Sequence, residues 1–161
     1  DLYRGKIATD PENASKLMHE LAIEDGLDTI GRAVSEATAR YGVSHLGITG
    51  YCMGGTFALR AACEVEGIAA AVPFYGDIPE ESVLAKLRVP TIFVSGTRDG
   101  WITPAKVAEL EAAAEQHQLP VESLKYDADH AFFNNTRPEV FNEDAASDAW
   151  SRAVAFFNSN L

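Results

Sequence analysis

Three residues in this sequence have side chains suited to nucleophilic acyl chemistry, and each stands among turn-forming neighbours. They are Cys52 in Gly50-Tyr51-Cys52-Met53-Gly54-Gly55, Asp99 in Gly96-Thr97-Arg98-Asp99-Gly100-Trp101, and His130 in Asp127-Ala128-Asp129-His130-Ala131-Phe132. A thiol of ordinary pKa, about 8.5, is only slightly ionised at neutral pH and needs a base beside it. His130 is that base if Asp99 holds its other ring nitrogen, fixing the tautomer and stabilising the imidazolium. An attacked carbonyl develops negative charge on oxygen, for which the backbone N–H of Met53 is the first expected donor. A second donor is expected from a loop after an earlier strand.

Each residue has a plainer reading. Cys52 suits a buried thiol at a strand end, Asp99 before Gly100 suits a simple turn, and His130 suits an ordinary loop histidine. Their joint placement favours chemistry: each follows an expected strand, in the order nucleophile, acid, histidine. Asp77, after Tyr75-Gly76, is the rival acid. Asp127 and Asp129 flank His130 without further ligands nearby, so neither a metal nor a cofactor is expected. His19, His45 and His117 lack such company. Cys63, expected far along the helix that follows Cys52, makes a thiol redox protein the weaker alternative.

The elements that must position these groups are read from apolar spacing and turn residues. Helices are expected over about 11–22 and 27–41, the latter with Ile30, Val34, Ala37 and Tyr41 at helical spacing and Gly42 as its stop. A strand over 44–50 and a helix over 54–66 bracket Cys52, the strand-to-helix context that a nucleophile elbow requires. Further strands are expected over 68–75, 89–95 and 121–126, with a short helix over 80–87 and a helix over 104–117 that has proline in its first turn. The last helix, over 143–157, is expected to bury Ala146, Trp150, Val154 and Phe157. Alternating strands and helices imply an α/β fold with a mainly parallel sheet covered on both faces, in one domain over 1–161. In such sheets reactive groups gather beyond the carboxyl ends of the strands. The connection over 128–142 is long, as functional loops often are.

A net charge of −11 over 161 residues argues against nucleic-acid or anionic-membrane partners, which require basic patches. The two cysteines form no disulfide framework, and no apolar run approaches the ~20 residues of a membrane span. A soluble, cytoplasmic protein is expected. The start, Asp1-Leu2-Tyr3-Arg4, reads like the interior of a longer chain.

At these same residues the chain resembles the dienelactone hydrolase family, also called carboxymethylenebutenolidases. The resemblance is carried by Asp1-Leu2-Tyr3-Arg4-Gly5-Lys6, the elbow 50–55, Val72-Pro73-Phe74-Tyr75-Gly76, Asp99-Gly100-Trp101-Ile102-Thr103-Pro104, and His130 through Pro138, and it continues through Ala145-Ala146 and Trp150 to Phe156-Phe157. It implies an α/β-hydrolase fold and hydrolysis of small ester or lactone substrates, with Cys52, Asp99 and His130 as the triad. Trp101, Phe132 and Asn134, in or beside the motifs that carry the triad, are expected to line the substrate pocket; core packing is the alternative for Trp101 and Phe132.

Two departures accompany the resemblance. Family enzymes that open dienelactone carry an arginine where this chain has Asn134 and another where it has Gly5, with Arg4 one residue earlier. A short-acyl ester or another lactone is therefore the expected substrate, with Arg137 as a substitute anchor. Family members also carry strands before the Asp-Leu-Tyr segment, supplying the second oxyanion donor and a glutamate that holds the resting thiol. The expectation is a chain lacking those N-terminal strands, with the elbow strand at a sheet edge and open to self-association. A weakly active or inactive core serving as a binding or assembly module is the alternative function.

Overall fold

The computed structural model describes residues 1–161. Two helices lead in: α1 (Pro11–Glu20), whose first turn is closed by Asp10 accepting from the Asn13 N–H, and α2 (Ile23–Tyr41), which ends where Gly42 takes a left-handed φ of 65°. Four strand–helix units follow: β1 (Leu46–Tyr51) and α3 (Met53–Glu64), β2 (Ile68–Phe74) and the single turn α4 (Glu81–Leu84), β3 (Thr91–Gly96) and α5 (Pro104–His117), and β4 (Val121–Tyr126) and α6 (Glu143–Asn160). Thr103 with Pro104 starts α5, and Asn142 caps α6 by accepting from the Ala145 N–H.

The sheet order is β1-β2-β3-β4 and every pairing is parallel, which leaves β1 and β4 at the edges. Neighbouring residues of the central strands serve opposite faces. Ala71 and Phe93 join Leu59, Leu84, Val107 and Leu110 in a core beneath α3, α4 and α5. Val72, Phe74, Ile92 and Val94 join Phe132, Ala149 and Ala153 in the core beneath α6. The expected α/β architecture, with helices on both faces, is the one observed.

Most element limits shift by a few residues, α4 shrinks to a single turn, and two differences change the packing. Helix α2 begins at Ile23, ahead of Leu27, and takes in Gly26. A Cβ there would lie 2.1 Å from the Phe57 ring, so the glycine lets α2 close onto α3. Helix α6 buries Ala145, Ala146, Ala149 and Ala153, while Trp150 is 49% and Val154 39% exposed. The expected stripe through 146, 150 and 154 is thus turned by about one residue. Small side chains let the helix approach the sheet closely, and the bulky ones are left facing outward. Phe157 still packs inward, occupying the space that a side chain at Gly47 would need.

Candidate active site

Strand β1 delivers Cys52 to the turn that begins α3. Cys52 has φ 53° and ψ −117°, a combination strained for a residue with a side chain. The turn closes because its neighbours are glycines: a Cβ on Gly50 would lie 2.1 Å from the Gly54 carbonyl oxygen, and one on Gly55 would lie 2.4 Å from the Phe74 carbonyl oxygen. The result holds the half-buried thiol at the N-terminus of α3, where Met53 presents one of the amide groups left free by a helix start.

Asp99 follows β3 and is 2% exposed. Its Oδ1 accepts from the Trp101 and Ile102 N–H groups at 2.7 and 2.9 Å, and its Oδ2 pairs with His130 Nδ1 at 2.7 Å. His130 follows β4. The two loops touch through Gly96, where a Cβ would lie 2.3 Å from the Ala128 carbonyl oxygen, and through the Arg98 N–H donating to that same oxygen at 3.0 Å. The Arg98 guanidinium pairs with Asp127 and Asp129 on the histidine loop. Those two carboxylates therefore serve Arg98, and no group of three or more His, Cys, Asp or Glu side chains converges as metal ligands. Asp77 pairs with Lys106 at 2.7 Å, so Asp99 is the carboxylate on His130.

The remaining ring nitrogen of His130, Nε2, is buried and makes no hydrogen bond. Cys52 adjoins it closely enough that interaction with His130 is the main cause holding the thiol below its ordinary pKa, against the opposing effect of burial. Burial also opposes charge on His130, but Asp99 and Cys52 outweigh it and push the imidazole up to about 9. Burial would raise Asp99 as well; His130 and the two backbone N–H groups keep it lowered. These directions favour a thiolate–imidazolium pair. Cys63, by contrast, is pushed up to about 12 by burial.

A cavity of about 390 Å³ opens at Cys52, lined by Tyr51, Tyr75, Ala131, Phe133 and Asn134. Of the residues expected at the pocket, Asn134 lines this cavity. Phe132 does not: it is fully buried in the core, 5.5 Å from Tyr75 and 5.6 Å from Tyr126 between ring centroids, and its neighbour Phe133 faces the cavity. Adjacent residues of the loop point opposite ways. Trp101 is 67% exposed and lies against the His130 ring at 4.9 Å, outside that cavity. Arg137 pairs with Glu139 and does not line the cavity. A groove of about 540 Å³ between α4 and α5 shares no residue with the cavity at Cys52.

Sequence reasoning missed Tyr75, whose ring lies 5.1 Å from that of His130. Its position just past the end of β2 was the available signal. Tyr75 and Ala131 also take positive φ, at 38° and 63°, so three of the chain's five non-glycine residues with positive φ surround one cavity. Such conformations cluster at functional sites.

The sequence model of the dienelactone hydrolase family matches residues 1–161. An Aquifex aeolicus protein named "Putative carboxymethylenebutenolidase" is 31% identical over 172 residues, covering 100% of this chain and 73% of the relative. The carboxymethylenebutenolidase of Rhodococcus opacus is 29% identical over 173 residues, covering 96% of this chain and 66% of its own. Among solved structures, a "Putative Dienelactone Hydrolase" of Klebsiella pneumoniae superposes with a TM-score of 0.88 at 26% identity, covering 98% of this chain and 72% of the other.

Proposed function

The chain belongs to the dienelactone hydrolase family, and from that premise we propose that it hydrolyses a carboxylic ester or lactone through an acyl-thioester on Cys52. The observation that carries this reading is the buried, unbonded Nε2 of His130 beside the Cys52 thiol, with Asp99 on the opposite ring nitrogen.

In acylation the Cys52 thiolate attacks the carbonyl carbon, and the C=O electron pair moves to oxygen. The Met53 N–H at the start of α3 donates to that oxyanion, with the helix N-terminus adding favourable potential. Collapse re-forms the carbonyl and breaks the bond to the leaving oxygen, which takes the Nε2 proton of the imidazolium. In deacylation, neutral His130 removes a proton from water as it attacks the thioester. The sulfur leaves as thiolate, the acid is released, and imidazolium is regenerated. Asp99 stays ionised throughout and stabilises the imidazolium. A lactone follows the same course, with the leaving oxygen remaining attached to the acyl product.

A short pulse of an activated ester, p-nitrophenyl acetate, followed by acid quench and peptide mass spectrometry tests the reading. An acetyl adduct on the Cys52 peptide, absent in Cys52→Ala, is expected. Labelling unchanged by Cys52→Ala would sink it.

A further inference from the structure

We propose that the cavity at Cys52 continues into an apolar acyl subsite, running past Phe133 to Phe141 and Trp150, which selects substrates with an uncharged acyl arm longer than acetyl. This rests on the reading of Cys52 as the nucleophile. The cavity of about 390 Å³ at Cys52 and a second of about 480 Å³ have Phe133 and Asn134 in common, so the two adjoin. Beyond the shared pair, the second is lined by Phe141, Ala146 and Trp150 on its apolar side and by Asn135, Glu143 and Ser147 on its polar side. Phe133 connects them, with its ring centroid 5.0 Å from Tyr51 on the inner side and 6.2 Å from Trp150 on the outer.

The exposure of Trp150 has its cause in α6, which buries alanines and leaves the indole 49% exposed against this space. A large apolar surface held beside a reaction centre gains from being covered, and an apolar acyl arm covers it.

Direction follows from the proton. The leaving oxygen must face His130, which lies against Trp101 at 4.9 Å and Tyr75 at 5.1 Å. Ring contacts lead from Tyr75 through Tyr51 to Phe133, which borders the second cavity. The acyl arm therefore takes the Phe133 side and the leaving group the Trp101 side. Charge selects further: Glu143 is the one carboxylate lining either cavity, and neither is lined by Lys or Arg. An arm ending in a carboxylate is disfavoured by that repulsion, with no cation in either lining to offset it.

The experiment compares p-nitrophenyl acetate, hexanoate and the adipate monoester, the last being a six-carbon acyl ending in carboxylate, on the wild-type chain and Trp150→Ala. A fully buried methylene is worth about fourfold in binding. The expected result is kcat/KM for hexanoate at least about tenfold above acetate and above the adipate monoester. Trp150→Ala should lower hexanoate about tenfold and acetate less than twofold. An equal loss on both esters, or an adipate monoester as good as hexanoate, overturns the subsite. If no ester acylates Cys52, the catalytic reading fails separately. Calorimetric binding of methyl hexanoate to Cys52→Ala then decides the subsite: binding weakened severalfold by adding Trp150→Ala supports it, and equal or undetectable binding in both overturns it.

Discussion

His130 Nδ1 and Asp99 Oδ2 lie 2.7 Å apart although their residues sit in loops after different strands. The contact exists because β3 and β4 are paired neighbours in register, Gly96 opposite Tyr126, so the loops leaving them start side by side. Asp99 is the more rigid partner, with its other oxygen held by two backbone N–H groups. It therefore sets the orientation of the imidazole.

Asp99→Asn should keep the fold and lose most of the rate. An amide at that position no longer stabilises imidazolium and permits the wrong tautomer, for which a loss of roughly 10⁴-fold in kcat is the precedent in hydrolases of this logic. Ester turnover beside a ¹H–¹⁵N titration of His130 checks this. A loss under tenfold, or a His130 pKa still near 9, would count against the role assigned to Asp99.

The thiol itself should report its neighbour. With its pKa lowered by His130, Cys52 should react with iodoacetamide below the pH at which an ordinary thiol does, while Cys63, buried and pushed up to about 12, stays unlabelled. His130→Ala should move the pH midpoint of Cys52 alkylation upward. A midpoint unmoved by that substitution shows that the imidazole does not govern the thiol.

The same pair has a signature in stability. His130 has its folded pKa raised from 6.5 to about 9, so its share of stability is fully present below 6.5 and lost as pH rises through about 9. Cys52 has its folded pKa lowered from 9.0, so its share is present above 9.0 and lost as pH falls through the folded value. Between the two ordinary values the slopes of the two groups oppose each other. Cys52→Ser removes the thiol's share. That variant should lose stability as pH rises above 6.5, where the wild type changes less, and urea midpoints at pH 6 and 9 measure the difference. Parallel curves would refute the coupling.

Gly96→Ala should cost both stability and rate. Its Cβ would stand 2.3 Å from the Ala128 carbonyl oxygen, and overpacking of that kind costs about 1–3 kcal/mol. The strain pushes apart the loops carrying Asp99 and His130, and a displacement of about 1 Å at such a site is worth up to ~100-fold in rate. Gly100→Ala is the comparison, since a Cβ there meets nothing within 4 Å. The urea midpoint and kcat of both variants are the measurements; similar behaviour of the two would show that the close approach at Gly96 is immaterial.

Much of this was determined by the sequence alone. Helix α5 and strand β4 were read with their observed limits, because Thr103-Pro104 and the turn residues around 118–120 act locally. The elbow was legible for the same reason: closely spaced glycines around one cysteine have few other uses. What remained for the tertiary structure was the contacts themselves and the choice between near-equivalent neighbours. Asp77 and Asp99 both follow strands; chain order and the family motif favour Asp99, and the structure adds the pairing of Asp77 with Lys106 and of Asp99 with His130. Phe132 and Phe133 are identical and adjacent; the loop's path buries one in the core beneath α6 and turns the other to the cavity. Trp150 looked like core because apolar spacing counts hydrophobicity and not size, whereas the sheet accepted α6 by its alanines. Local chemistry fixes elements and turns, but which of two similar side chains meets a distant partner depends on packing between segments far apart in the chain.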